Sequence, residues 1–303
     1  MNNSKFSTNT ALVFVIIGAL GFASKGVFIK LAYGDHQRVD PVTLMTLRML
    51  LSAPFYLTAL VWLAGTGRGA LHGVRMAPLI LLGLTGYYLA SWLDLNGLLY
   101  IPVGLERMIL YLYPSMVVIL SALFYRKSIG KAVWIALALS YAGIAMVFAS
   151  SAGAGANLAL GSSLVFASAF TFALFVIGSH AMMRNIGSVR FTALSMLVSS
   201  AAIMTHFALT HPLDAITVLE PAVYKLALVI AIFSTVLPSF LMAAGLKRLG
   251  SEQASIVSGL GPIATLVMAN WLLGEQITPA QLAGVVLVIG GVWVISMRKP
   301  EAA

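Results

Sequence analysis

The sequence predicts an all-α integral membrane protein with ten transmembrane helices, arranged as two inverted repeats of five helices each. Three observations lead to this fold: the hydropathy of the chain, the placement of its basic residues, and a similarity between its two halves. Of the 303 residues, 60% are hydrophobic and only 9% are charged, and the mean hydropathy is +0.98. This composition lies far outside that of an ordinary soluble domain.

Apolar stretches of the length that crosses a bilayer, about 20 residues, recur along the whole chain. The five in the first half cover residues 11–32, 41–64, 77–98, 102–124 and 132–150. The five in the second half cover residues 158–182, 191–210, 222–245, 254–273 and 280–297. No stretch remains for a soluble domain. The first one has only Lys5 before it and no defensible cleavage site, so we expect a retained helix rather than a signal peptide.

The basic residues indicate the topology. The net charge is +9, and most of the 18 Lys and Arg residues fall in alternate loops between the apolar stretches. Because short loops rich in Lys and Arg stay in the cytoplasm, both termini are predicted to be cytoplasmic. This explanation of the charge is favoured over a role in binding nucleic acid. The chain has no cysteine, which excludes disulfides and thiol chemistry.

The two halves align when the chain is shifted by 148 residues against itself. The shift superposes identical residues in several apolar stretches: Phe22 on Phe170, Gly97 on Gly245, Pro114 on Pro262 and Gly143 on Gly291. We therefore predict two repeats, residues 1–150 and 151–303. Since five spans per repeat is an odd number, the second repeat enters the membrane from the opposite side. Inverted repeats are typical of secondary transporters, which bind substrate near the midplane and work by alternating access.

Three motifs carry a resemblance to a known family. They are Tyr-Leu-Tyr-Pro-Ser at 111–115, its partner Gly-Leu-Gly-Pro-Ile at 259–263, and Leu-Gly-Glu-Gln at 273–276. With the 5+5 layout, they resemble the EamA family of the drug/metabolite transporter (DMT) superfamily over essentially the whole chain. The stretch 108–124 is also similar to the corresponding span of the YddG-type aromatic amino acid exporters. This resemblance implies efflux of aromatic and other neutral amino acids across a bacterial inner membrane.

Charged side chains inside membrane spans are rare and usually face a cavity or one another. Five occur here, all in the first half: Lys25, Arg48, Asp94, Glu106 and Arg107. At 1.5 Å per residue, all but Glu106 lie roughly 8 to 12 Å below the predicted outer boundary, so we expect a common layer. One of the cations would contact a substrate carboxylate, and Asp94 or Glu106 is the candidate proton site. The alternative is a closed salt-bridge network that only holds the helices together.

Aromatic and hydroxyl side chains are predicted to complete a substrate site beside the charges. Tyr87, Ser91 and Asp94 have the spacing i, i+4, i+7 and therefore share one face of the third helix. The predicted contacts other than the charged residues are Phe22, Tyr87, Tyr88, Ser91, Trp92 and Tyr111. Rings would contact an apolar side chain, while cations and hydroxyls hold the backbone end of an amino acid. Helix packing or an interfacial aromatic belt is the alternative explanation.

Pro114 and Pro262 lie inside predicted spans, where each removes a helical hydrogen bond. We predict that they act as hinges at the cavity, with a passive kink retained for packing as the alternative. Two further polar residues, His206 and Asn270, are expected to be hydrogen-bonded inside the protein rather than to bind a ligand.

The sequence lacks a phosphate-binding glycine loop, a metal-spaced histidine cluster and a nucleophile elbow. We therefore predict no catalytic residue, no cofactor, no metal and no direct coupling to ATP. The favoured function is a monomeric secondary transporter in the inner membrane that exports small metabolites, amino acids above all. Its partners would be the substrate and the lipid bilayer. The alternatives are a membrane enzyme acting on a lipid or prenyl substrate, and a channel.

Overall fold

The regular structure of the chain is helical throughout the part that the structure describes. A computed structural model describes residues 8–34, 38–65, 73–126, 129–151, 157–242, 244–245 and 259–296, and it has no strand in these ranges. Helices are expected in hydrocarbon, because a helix satisfies its backbone hydrogen bonds within one segment.

Five helices come from the first half of the chain. They are α1 (Thr8–Tyr33), α2 (Pro41–Gly65), α3 (Met76–Gly97), α4 (Val103–Phe124) and α5 (Lys131–Ser150). The described helices of the second half are α6 (Leu158–Ile186), α7 (Ser188–Thr210), α8 (Pro221–Met242), α9 (Leu260–Leu273) and α10 (Pro279–Ser296). A short 3-10 helix, Leu213–Ile216, lies between α7 and α8.

The helices α1 to α8 are long and apolar enough to cross a membrane, so the chain is a multi-pass membrane protein. The last two are shorter apolar helices in the described residues. The 14 residues of α9 span only about 21 Å at 1.5 Å per residue, against a hydrocarbon core of about 30 Å. The first residues of the predicted ninth span, 254–258, lie outside the described residues.

Side chains that precede the helices fix where two of them begin. Oδ1 of Asp40 accepts hydrogen bonds from the backbone N–H groups of Val42 and Thr43, at 2.9 and 3.0 Å, and so caps α2. At α10, the N–H of Thr278 donates to Oε1 of Gln281, and the N–H of Gln281 donates to Oγ1 of Thr278. This reciprocal pair is a capping box.

Three helices depart from regular α-helical geometry. Residues Leu84–Leu89 of α3 and Ile232–Val236 of α8 form π-helical turns. In α4, helical structure stops after Leu110 and resumes at Tyr113. π-Helical turns often mark functional sites, and the irregular stretches of α3 and α4 lie in helices that carry Asp94, Glu106 and Arg107.

Most of the packing joins the first half of the chain to the second. Contacts link α5 with α10, α2 with α7, α1 with α8 and α9, and α6 with α3 and α4. The α5–α10 crossing is close because glycines lie on both sides. A Cβ atom on Gly143 would lie 2.7 Å from the carbonyl oxygen of Gly284, and one on Gly284 would lie 2.8 Å from that of Gly143. Small residues let helix backbones approach in this way.

Candidate functional site

A buried ion pair joins α1 to α3. The Lys25 Nζ atom lies 2.7 Å from Oδ2 of Asp94, with Lys25 donating the hydrogen bond. Asp94 is 1% exposed, and the Lys25 side chain is 18% exposed. The sequence predicted that these two residues share a layer, and the structure brings them into direct contact.

Glu106 of α4 lies beside this pair. Its side chain is 1% exposed, and its carboxylate interacts electrostatically with Asp94, Lys25 and Arg107. A Cβ atom on Gly26 would lie 2.9 Å from Oε2 of Glu106, so the carboxylate is packed against the backbone of α1. Neither carboxylate oxygen of Glu106 accepts a hydrogen bond from an N–H or hydroxyl donor of the described residues, although the Glu106 and Asp94 carboxyl groups lie close enough to share a hydrogen bond when one of them is protonated.

The two arginines approach the cluster from different sides. Arg48 of α2 is 4% exposed and interacts electrostatically with Asp94. Arg107 points toward α9, since a Cβ atom on Gly261 would lie 3.2 Å from its Nη2 atom. The Nε atoms of both arginines are buried and lack a hydrogen-bond partner in the described part of the chain. Each guanidinium group therefore has one N–H donor without an acceptor in the described residues.

Tyr87 belongs to an aromatic wall that the sequence did not reveal. Its ring lies 4.9 Å, centroid to centroid, from Phe175 of α6, and Phe175 contacts Phe172 at 5.6 Å and Phe191 at 5.8 Å. Tyr113 of α4 meets Phe172 edge to face at 5.1 Å. In sequence the phenylalanines read as ordinary apolar span residues, so nothing in the pattern singled them out.

Tyr88 and Trp92 face α7 through His206. The Tyr88 hydroxyl is hydrogen-bonded to Nδ1 of His206 at 3.0 Å, and the Trp92 ring lies 6.2 Å from the imidazole ring. Asn270 is also hydrogen-bonded within the protein, since its Nδ2 atom donates to the carbonyl of Glu275 at 2.8 Å. Both polar residues thus have the internal partners that the sequence led us to expect.

The remaining predicted contacts lie at different places around the cluster. Phe22, one turn before Lys25 in α1, and Ser91 of α3 are both partly buried. Tyr111 is buried, and it packs against Val288 and Val292 of α10. Because π-helical turns shift the angular positions of residues, the α-helical spacing from Tyr87 to Asp94 is not kept through residues 84–89.

The two predicted hinge prolines lie in the first turns of helical segments rather than in the middle of continuous helices. Pro114 follows the break at Tyr111 and Leu112, and Pro262 is the third residue of α9. Proline is well tolerated there, since the first N–H groups of a helix have no intrahelical acceptor. The Ser115 hydroxyl donates to the carbonyl of Leu112 at 2.7 Å and satisfies one backbone group at the break.

An apolar groove of about 420 Å³ lies between α1 and α8, and no charged residue lines it. It is lined by Ile17, Leu20, Gly21, Ser24, Phe28, Val229, Phe233 and Leu237. The Ser24 and Ser234 hydroxyls are hydrogen-bonded to each other at 2.8 Å beside it. In the described ranges, no three His, Cys, Asp or Glu side chains are grouped in a way that would hold a metal ion.

The comparison with protein families decides the identity. A model of the EamA-like transporter family matches residues 9–149 and again residues 159–297. The chain belongs to this family. The EamA assignment made from the proline motifs and the Leu-Gly-Glu-Gln turn is confirmed.

Individual relatives of this EamA-like transporter are distant. It is 29% identical over 296 residues to the "Uncharacterized transporter YcbK" of Bacillus subtilis (strain 168), a match that covers 93% of this chain and 90% of the relative. It is 27% identical over 203 residues to the "Probable amino-acid metabolite efflux pump" of Salmonella typhimurium (strain LT2), covering 64% and 67%. A protein of known crystal structure shares the fold with a TM-score of 0.66 at 17% identity, covering 95% of this chain and 96% of the other.

The candidate site in this EamA-like transporter is centred on charged residues of α1, α2, α3 and α4 that interact with Asp94 or Glu106. The charged residues were recognisable in the sequence because charges are unusual within apolar spans. The aromatic residues of α6 were not, because rings are common in such spans.

Proposed function

We propose that this EamA-like transporter is a secondary transporter that exports small amphipathic metabolites by alternating access, with aromatic and other neutral amino acids as its substrates. The observation that carries the proposal is the buried charged cluster around Asp94. Charged groups at membrane depth are costly unless they are paired or used. Here Lys25 donates to Oδ2 of Asp94, whereas Oδ1 of Asp94 and polar atoms of Glu106, Arg48 and Arg107 are buried without a donor–acceptor partner within the described structure.

Helix packing supports the proposal of two inverted five-helix repeats, residues 1–150 and 151–303. If each helix of the first half is exchanged for its counterpart in the second, the pair α1–α8 becomes α6–α3, and α1–α9 becomes α6–α4. Both members of each exchange are observed contacts. The pairs α2–α7 and α5–α10 map onto themselves. Such symmetry is what two interconvertible halves require.

Local geometry repeats in the same way. The π-helical turns begin at Leu84 and Ile232, 148 residues apart. A Cβ atom on Gly97 would meet the side chain of Val165, and one on Gly245 would meet that of Val15. In these two contacts Val15 of α1 and Val165 of α6 take corresponding places, 150 residues apart, which supports the pairing of α1 with α6. Equivalent backbone irregularities in both halves support a shared ancestral unit.

Two features support an amino acid as the substrate. Arg48, Arg107 and Lys25 offer cationic donors for a carboxylate, and the rings around Phe175 offer an apolar surface for a side chain. The Salmonella relative, whose name describes amino-acid metabolite efflux, points in the same direction. We further propose, from the basic loops, an inner-membrane location with both termini in the cytoplasm.

Transport by purified protein in liposomes tests the proposal. Vesicles loaded with labelled phenylalanine should release it at a rate that saturates with concentration and that falls when unlabelled neutral amino acids compete. A channel would give flux that neither saturates nor is competed, and a membrane enzyme would convert the compound rather than move it. Either result, or the absence of flux for every amino acid in the panel, would reject an amino acid carrier.

A further inference from the structure

Three acidic oxygen atoms of the charged cluster accept no hydrogen bond from an N–H or hydroxyl donor in the described part of the chain. They are Oε1 and Oε2 of Glu106 and Oδ1 of Asp94, and each is buried without such a donor among the described residues. The fourth carboxylate oxygen, Oδ2 of Asp94, accepts the hydrogen bond from Lys25. The two carboxyl groups are neighbours, close enough to hydrogen-bond to each other when one of them is protonated, and a bound ammonium group would replace that shared proton.

Buried carboxylate oxygens without donors are unfavourable, because they lose their hydrogen bonds to water and gain none in return. A ligand that brings positive charge and N–H donors removes this cost. A primary ammonium group carries three donors and one positive charge, which matches three acceptor atoms on two acidic side chains. A carboxylate ligand would instead be repelled at this point.

We propose that Glu106, together with Oδ1 of Asp94, binds the ammonium group of the substrate. This proposal rests on the proposed function and assigns one end of the amino acid to the acidic side of the cluster. Arg107 and Arg48 then face the carboxylate end. Gly26 keeps the acidic subsite in place, since a Cβ atom there would lie 2.9 Å from Oε2 of Glu106.

Three aromatic probes distinguish binding of the ammonium end of the ligand from binding of its carboxylate end. Phenylalanine has both groups. 2-Phenylethylamine lacks the carboxylate, and 3-phenylpropionate lacks the amine. Binding is measured by the shift in thermal unfolding of the purified protein at a fixed pH. The variant is Glu106→Gln, and the matched control is Glu220→Gln, since the Glu220 side chain is 59% exposed and contacts only Arg38 in the described salt bridges.

We expect Glu106→Gln to weaken binding of phenylalanine and 2-phenylethylamine about tenfold or more, which corresponds to loss of a charged hydrogen-bonding partner. Binding of 3-phenylpropionate should be unchanged, and Glu220→Gln should behave as the wild type. If Glu106→Gln fails to fold, Glu106→Asp is the second variant. It keeps the negative charge but moves the carboxylate away from the ligand by the length of one methylene group. It should weaken the two amines selectively.

Three outcomes would overturn the subsite: amine binding that does not depend on position 106, an equal loss of all three probes, or a wild type that binds neither amine. The equal loss would indicate a purely structural carboxylate that serves Lys25. The transport assay in liposomes is read separately. A wild type that binds amines through Glu106 but moves no amino acid would retain the subsite and reject the proposed function.

A second inference rests on an independent contact at the predicted outer end of the bundle. Oε1 of Glu275, in the turn between α9 and α10, accepts a hydrogen bond from the N–H of Val103 at 2.8 Å, and Oε2 accepts one from Gly104 at 3.2 Å. Val103 begins α4, so the carboxylate satisfies two N–H groups that have no acceptor within the helix. It also lies at the positive end of the helix dipole.

Neighbouring contacts strengthen the attachment of the α9–α10 turn to the start of α4. Lys30 of α1 donates hydrogen bonds to the carbonyls of Leu98 and Ile101, at 2.6 and 3.1 Å, and is attracted electrostatically by Glu275. Gly274 adopts the left-handed conformation with φ of 69°, which lets the chain turn sharply after α9 and present Glu275. The first and second halves of the chain are thus fastened together at this end.

The equivalent position in the first half carries the opposite charge. A shift of 148 residues places Lys127 at the position of Glu275. A lysine side chain has no acceptor and cannot accept a bond from a helix N-terminus. We infer that Glu275 is a latch on the outer side that favours states closed on that side, and that its bonds to α4 break when the outer side opens.

Thiol labelling tests the latch, because the chain contains no cysteine and an engineered one is the only thiol. A Ser91→Cys reporter in α3 is labelled with a membrane-impermeant reagent applied from the outside. Glu275→Ala should raise the labelling rate about tenfold. This is the change expected if the latch stabilises the closed state, relative to the open one, by roughly 1.4 kcal/mol. Gln276→Ala, at the exposed next residue, is the matched control. An unchanged rate in Glu275→Ala, alone and combined with Lys30→Met, would refute the latch.

Discussion

The Lys25 ammonium group and the Asp94 carboxylate form an ion pair of 2.7 Å between α1 and α3, and Asp94 is almost completely buried. The pair crosses from the first predicted span to the third, so it fixes the relative position of two helices as well as two charges. Arg48 and Glu106 add their charges to the same place. In the proposed site, stability and transport would therefore depend on the same residues, and variants can separate the two.

Asp94→Asn should destabilise the protein by about 3 to 5 kcal/mol, because it leaves the Lys25 charge buried without its partner. The double variant Lys25→Met, Asp94→Leu removes both charges and should recover much of that loss. Thermal unfolding in detergent is the measurement, with Asp214→Asn, in the 3-10 helix between α7 and α8, as the control. Equal destabilisation of the single and the double variant would show that the ion pair is not what holds α1 to α3.

Arg107→Ala should lower the transport rate about tenfold or more, because its guanidinium lies against Gly261 and faces the carboxylate end of the proposed site. Arg75→Ala, an exposed arginine at the start of α3, should have little effect. Initial rates in liposomes, normalised to folded protein, decide the comparison. The role assigned to Arg107 would be rejected if the two variants were equally active.

Two glycines of α10, one packed against α5 and one in open space, allow a matched test of how closely the two halves of the chain pack. Gly284→Ala should cost about 1 to 3 kcal/mol, because the new methyl group would meet Val147 and the carbonyl oxygen of Gly143. Gly290→Ala meets nothing within 4 Å and should be neutral or stabilise the helix by up to about 1 kcal/mol. Unfolding of both variants in the same detergent gives the difference. A stable Gly284→Ala variant would mean that α5 and α10 do not pack as described.

Pro114→Ala should slow transport several-fold while leaving the protein folded, because alanine allows helical structure to continue through Tyr111 and Leu112 and stiffens the proposed hinge. Pro54→Ala is the control, since Pro54 also lies within a helix but on an exposed face. Transport rates are compared with the affinity for labelled phenylalanine. If the affinity falls and the rate constant does not, Pro114 shapes the binding site rather than the motion.

The candidate site was predictable only in part. The charges of Lys25, Asp94 and Glu106 stood out because each contradicts the apolar composition of its span, and the structure places them together. The contact between Tyr87 and Phe175 could not be foreseen, because it joins residues 88 positions apart whose types are ordinary in an apolar helix. The π-helical turn in α3 was equally hidden, since its residues are compatible with a regular helix.

The sequence by itself determined the class of protein. Hydropathy measures whether each segment prefers lipid to water, and this preference is a local property that can be read residue by residue. Only the tertiary structure decided that Lys25 takes Asp94 as its partner while Glu106 is left without a donor in the described residues, and that Glu275 holds the start of α4. These choices depend on how separate helices pack and rotate against one another, and no single segment contains that information.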